Sequence, residues 1–154
     1  VLLACAMKMG AMQAGAPAKD CELLYRFGES IGLAFQLQDD MLDVYGDFET
    51  FGKRIGGDIL CNKKTYLLIK AMEGADENQH SQLVKWIEAE EYDPEEKVAA
   101  VTSLDNEIGV RQICEDLVNK YFDDARQLLE KVALPADRKE TLWQYALGLL
   151  GRNS

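Results

Sequence analysis

Histidine is all but missing from this chain, since His80 is the single one. A carboxylate-bridged di-iron bundle draws on paired Glu-x-x-His motifs, so that class of helical metalloprotein is set aside. Basic residues are outnumbered: 17 Lys and Arg face 27 Asp and Glu, for a net charge of −10. That balance excludes nucleic acid and anionic membrane surfaces as partners. No apolar run is long enough to cross a bilayer; Val1 to Ala16 is the nearest, and it is too short and carries Lys8. Cys5, Cys21, Cys61 and Cys114 show no C-x-x-C spacing, and reduced, buried thiols in a cytosolic protein are the plain reading. Strand patterning never exceeds a few residues, nothing repeats at a solenoid period, and there are only three prolines.

What remains is helix. With 154 residues of which 47% are hydrophobic, the chain can bury a sizeable core. Val1 to Ala14 reads as one helix, closed by Gly15-Ala16-Pro17; its small residues Ala4, Gly10, Ala11 and Ala14 allow a neighbour to pack closely. Asp20 is placed to cap a long helix to about Tyr45. Lys64 to Glu73, Asn78 to Glu88 and a helix begun by Asp93-Pro94 follow. A further helix is expected from about Asn106 to Val132, and Pro135 starts the last one. The acid excess, in Glu88, Glu90, Glu91, Asp93, Glu95 and Glu96, reads as solvated surface, and His80 as exposed. The opening at Val1, without an initiator Met or an N-cap residue, reads as mid-helix, so a C-terminal portion of a longer protein is expected.

The stretch from Phe27 to Asp47 stands apart. On a helical projection Asp39, Asp43, Gln36, Asp47 and Asp40 share one stripe roughly 100° wide, and the rest of the circumference is apolar. A helix apolar nearly all round is expected to be buried, which would leave the acidic stripe lining a cleft. Clustered carboxylates there need protonation, basic partners or divalent cations. Oxygen-only ligands favour a hard ion such as Mg²⁺, which takes one or two carboxylates and completes its shell with water and phosphate. The plainer alternative is an acidic face that simply meets solvent.

The counter-charge comes next in the chain. Gly46 to Asp58 is a glycine-punctuated loop that holds Lys53 and Arg54, and Asp58 to Thr65 brings Lys63 and Lys64 ahead of an apolar helix. Glycines let backbone amides approach an anion, and a helix start favours negative charge. Lys53, Lys63 and Arg54 are therefore candidates to hold phosphate oxygens from the side opposite the carboxylates.

The run F-G-x-x-x-G-x-A-F-Q-x-x-D-D-x-x-D, then G-K, then G-D-x-x-x-x-K-x-T, resembles the second aspartate-rich region of the trans-isoprenyl diphosphate synthases, or polyprenyl synthetases. The match runs from about Phe27 to Thr65. The resemblance implies an all-α, isoprenoid synthase-type antiparallel helical bundle, with residues 1–154 as the C-terminal part of a single domain. It also implies a cytoplasmic homodimer, and isopentenyl diphosphate joined to an allylic diphosphate with Mg²⁺ as cofactor. On that basis Asp39 is a direct Mg²⁺ ligand, and Asp40 and Asp43 ligate directly or through water. Lys53 and Lys63 bind the allylic diphosphate, with Arg54 able to replace Lys53 if the register shifts by one. Gln36 faces the developing cation, Phe35 lies near the substrates, and Asp58 supports Lys63 or the metal. Arg152 matches a basic residue that helps close the site. The family's first aspartate-rich motif lies outside this sequence, so the segment alone is expected to be inactive. A non-catalytic subunit of a heteromeric synthase and a terpene cyclase-like enzyme share enough of this logic to stand as alternatives.

Overall fold

The computed structural model describes residues 1–46 and 55–150. Among them there are eight helices and no strand: α1 (Leu2–Gln13), α2 (Ala18–Tyr45), α3 (Gly57–Leu60), α4 (Tyr66–Gly74), α5 (Glu77–Glu88), α6 (Pro94–Ile108), α7 (Val110–Glu130) and α8 (Ala136–Leu150). The all-α expectation holds. The chain divides into two compact units, Val1–Gln36 with Leu117–Ser154, and Leu37–Asp116.

In the first unit Phe27, Ile31, Leu24 and Cys21 of α2 pack with Ala125, Leu128 and Leu129 of α7 and Ala146 of α8. Gly28 is what lets α1 lie against α2: a Cβ there would stand 2.9 Å from the Ala4 Cα and 3.0 Å from the Leu3 carbonyl oxygen. Ala4 and Ala11 are buried as expected, whereas Gly10 faces open space. Asp20 is not the cap of α2. The helix already begins at Ala18, and Asp20 lies buried in the first turn, accepting the Ala133 N–H at 3.3 Å. The reason is that Ala133 follows α7 at a turn where a free amide needs an acceptor.

The second unit is built on Val44, Leu67, Ala71, Leu83, Val101, Leu104, Val110 and Cys114. Its helix starts follow the sequence closely. Asp93 accepts the N–H groups of Glu95 and Glu96 with Pro94 in the first turn, and Asp76 forms a capping box with Gln79. The single helix expected from Asn106 to Val132 is instead two, because Gly109 at φ 83° ends α6 before α7 begins. The acidic residues from Glu88 to Glu96 and His80 are exposed. The four cysteines are free thiols, but only Cys21 and Cys114 are buried; Cys61 is exposed where α3 ends in a surface turn, and Cys5 is half-buried.

Candidate active site

The site is carried by the C-terminal turns of α2 and the segment that returns past it. Asp40 is buried and Asp39 and Asp43 are half-buried. Lys63, from the turn after α3, donates to Asp40 Oδ1 at 3.0 Å and to Asp58 Oδ2 at 2.6 Å. These bonds, to Asp58 first and then to Asp40, hold the Lys63 ammonium well above the ordinary lysine range. Asp43 meets the start of α3: the Asp58 N–H donates to its Oδ2 at 2.8 Å, and the Gly56 N–H donates to the Asp43 carbonyl oxygen at 2.7 Å. Burial pushes the Asp43 carboxyl upward, and the Asp58 amide pulls it back in part. Gly56 makes the turn at φ +83°, where a Cβ would collide with Val98 at 2.5 Å.

Asp39 is different. Its side chain has no hydrogen bond or ion pair with any described residue. Among the described residues no three His, Cys, Asp or Glu side chains cluster closely enough to hold a metal by themselves. The donor set still suits Mg²⁺, because that ion accepts one or two carboxylates and fills its shell with water and phosphate oxygens.

So the structure brings together Asp40, Asp43, Asp58 and Lys63. Phe35 and Gln36 belong to the first unit and are exposed, Phe35 by 41%. Leu33 is exposed by 44%. The expectation of a fully buried α2 therefore fails on that side, where no described element covers the helix. Lys53, Arg54, Asp47 and Arg152 lie outside the described residues.

Three residues with a place at this site escaped the sequence reading. Lys97 is 1% exposed, and its ammonium donates to Asn62 Oδ1 at 2.8 Å. Asn62 itself sits at φ 50°; an asparagine just past a short helix is a recognisable left-handed position. Asp105, buried on α6, falls four residues after Val101 on the apolar face, which was a signal in the spacing. Lys97, following two glutamates, gave none.

A family model described as polyprenyl synthetase matches residues 1–104. The chain belongs to the polyprenyl synthetase family. A short chain isoprenyl diphosphate synthase of Methanothermobacter thermautotrophicus is 32% identical over 151 residues, covering 98% of this chain and 45% of that protein. The crystal structure of a geranylgeranyl pyrophosphate synthase superposes with a TM-score of 0.89 at 38% identity, over 100% of this chain and 48% of that one. A second such synthase, from Corynebacterium glutamicum, was solved with isoprenyl diphosphate and magnesium. It gives a TM-score of 0.80 at 27% identity, over 93% of this chain and 40% of that one. The polyprenyl synthetase chain described here thus spans less than half the length of these relatives, with the isoprenoid synthase all-α fold.

Proposed function

We propose that the protein to which this chain belongs is a Mg²⁺-dependent prenyltransferase. It would extend an allylic diphosphate by isopentenyl diphosphate and release pyrophosphate. The observation that carries this reading is a Lys63 held between Asp40 and Asp58, with Asp39, whose side chain has no partner among the described residues, next to Asp40 in the chain. Anionic ligands for a hard cation and a cation for phosphate oxygens stand side by side, as a diphosphate–metal clamp requires.

In this reading Asp39 would ligate the ion directly. Asp40, which also accepts from Lys63, and Asp43, whose Oδ2 accepts the Asp58 amide, would hold it directly or through water. Mg²⁺ supplies charge neutralisation for the departing pyrophosphate. Lys63 exchanges one of its carboxylate partners for a diphosphate oxygen, and Lys53 or Arg54 approaches the same group. The allylic C–O bond breaks, the isopentenyl double bond attacks the resulting cation, and a proton leaves to give the longer diphosphate. Gln36, on the turn of α2 before Asp39, faces the cation, and Phe35 lies against the prenyl chain. A homodimer in the cytoplasm completes the reading; no helix among the described residues is long and apolar enough to cross a membrane.

The test is incorporation of labelled isopentenyl diphosphate by the full-length protein with Mg²⁺. Asp39→Ala should lose about 10²-fold or more of that rate, as for loss of a group that stabilises transition-state charge. Near-normal turnover in that variant would remove Asp39 from the mechanism. A cyclised hydrocarbon product would point to a terpene cyclase-like enzyme instead.

A further inference from the structure

Lys63 is a surface lysine on a short turn, with a side chain 45% exposed, yet it is aimed at two carboxylates. A long, flexible side chain in such a place ordinarily wanders. What fixes it here begins one residue earlier. Asn62 adopts φ 50°, the left-handed conformation that lets the chain reverse after α3. Both ends of its amide are held: Oδ1 accepts from Lys97 at 2.8 Å and Nδ2 donates to the Ile87 carbonyl oxygen at 3.0 Å. The Lys63 N–H then donates to the Asp58 carbonyl oxygen at 2.9 Å, so Lys63 leaves this turn in one direction.

Lys97 is itself expensive to place. It is 1% exposed, packed with its ammonium 4.2 Å from the centre of the Tyr92 ring, and Tyr92 in turn donates its hydroxyl to the Leu60 carbonyl oxygen at 3.1 Å. Burial pulls its pKa below the ordinary lysine value. One hydrogen bond and one ring face offset only part of the cost of dehydrating an ammonium. For core stability alone a methionine would serve as well. Its polar contact is spent on the turn that presents Lys63.

We propose that Lys97 is a positioning residue for diphosphate binding: by holding the Asn62 side chain it locks the left-handed turn that directs Lys63 at the acidic helix. The role rests on the function proposed above, because it supplies no group of its own to the substrate. It acts through Lys63.

The experiment measures Mg²⁺–pyrophosphate affinity of the full-length protein by calorimetry, alongside KM and kcat for the allylic diphosphate. Lys97→Met should weaken pyrophosphate about tenfold, the size of one net hydrogen bond, and should raise KM far more than it lowers kcat. Asn62→Gly, which keeps the backbone relaxed but frees the turn, should reproduce the loss. It also serves if Lys97→Met fails to fold. In a Lys63→Ala background, Lys97→Met should add less than about twofold, since residues acting through one another are not additive. Unchanged pyrophosphate affinity in Lys97→Met and Asn62→Gly, or losses that multiply with Lys63→Ala, would overturn the proposal. Absence of isopentenyl incorporation with Lys97-dependent pyrophosphate binding intact would instead overturn the prenyltransferase reading and leave this one standing.

Discussion

Asp58 donates its backbone N–H to Asp43 Oδ2 at 2.8 Å, and through that bond the last aspartate of the D-D-x-x-D motif holds down the start of the segment that carries Lys63. Asp43→Ala leaves that amide without its acceptor. The variant should lose about 1–3 kcal/mol of stability, read as a lower melting temperature of the full-length protein. Asp43→Asn keeps an oxygen acceptor and should recover most of the loss in melting. If Asn and Ala melt alike, the bond to Asp58 is not what Asp43 contributes to the fold.

Lys63 is the second test of the clamp. Lys63→Ala removes the cation shared by Asp40 and Asp58, and the KM for the allylic diphosphate should rise about tenfold or more, as expected for a charged hydrogen bond to phosphate. The apparent Mg²⁺ requirement should move less than KM does, because in the proposed reading Asp39 and not Lys63 would hold the ion. An unchanged KM would separate Lys63 from the diphosphate.

Asp105 makes stability depend on pH. Burial raises its carboxyl to about 7, and its Oδ1 has no hydrogen-bond partner among the described residues. The Tyr45 hydroxyl from α2 and the Cys114 thiol from α7 are its titratable neighbours, and both are pushed upward by burial first and by Asp105 second, Cys114 to about 11. The folded state keeps the Asp105 proton up to neutral pH, while the unfolded chain loses it near the ordinary carboxylate value of about 3.9. The unfolded state therefore binds fewer protons in between, and stability falls as pH rises from about 4 to about 7, then levels. The ceiling on this loss is about 4 kcal/mol. Asp105→Asn should flatten the slope, so its melting temperature relative to the parent climbs from pH 4 to 7 and stays constant above. A parallel pair of melting curves would show that Asp105 is ionised throughout.

Gly28 and Gly32 should respond oppositely to alanine. A Cβ at Gly28 meets α1 backbone at 2.9 Å, whereas at Gly32 the nearest atom is the Leu3 Cβ at 3.9 Å. Gly28→Ala should destabilise by about 1–3 kcal/mol through overpacking. Gly32→Ala should be neutral or gain up to about 1 kcal/mol of helix propensity. Equal melting temperatures would mean that α1 yields without cost.

Much of this was written in the order of residues. The apolar residues of α2 include Ile31, Ala34, Leu37 and Val44, which are buried, but also Leu33 and Phe35, which are exposed, whereas Asp93-Pro94 set where α6 begins, because a cap is local physics. The stretch from Phe27 to Thr65 offered Lys63 as a counter-charge to the acidic stripe, and it meets Asp40 there. Only the tertiary structure divided the three aspartates into one without a side-chain partner among the described residues, one paired with Lys63 and one bound to backbone, since that division depends on how a segment 15 to 23 residues away returns. It alone buried Lys97 against Asn62 across 35 residues. Burial of a charged side chain is decided by what packs over it, and no local pattern carries that information.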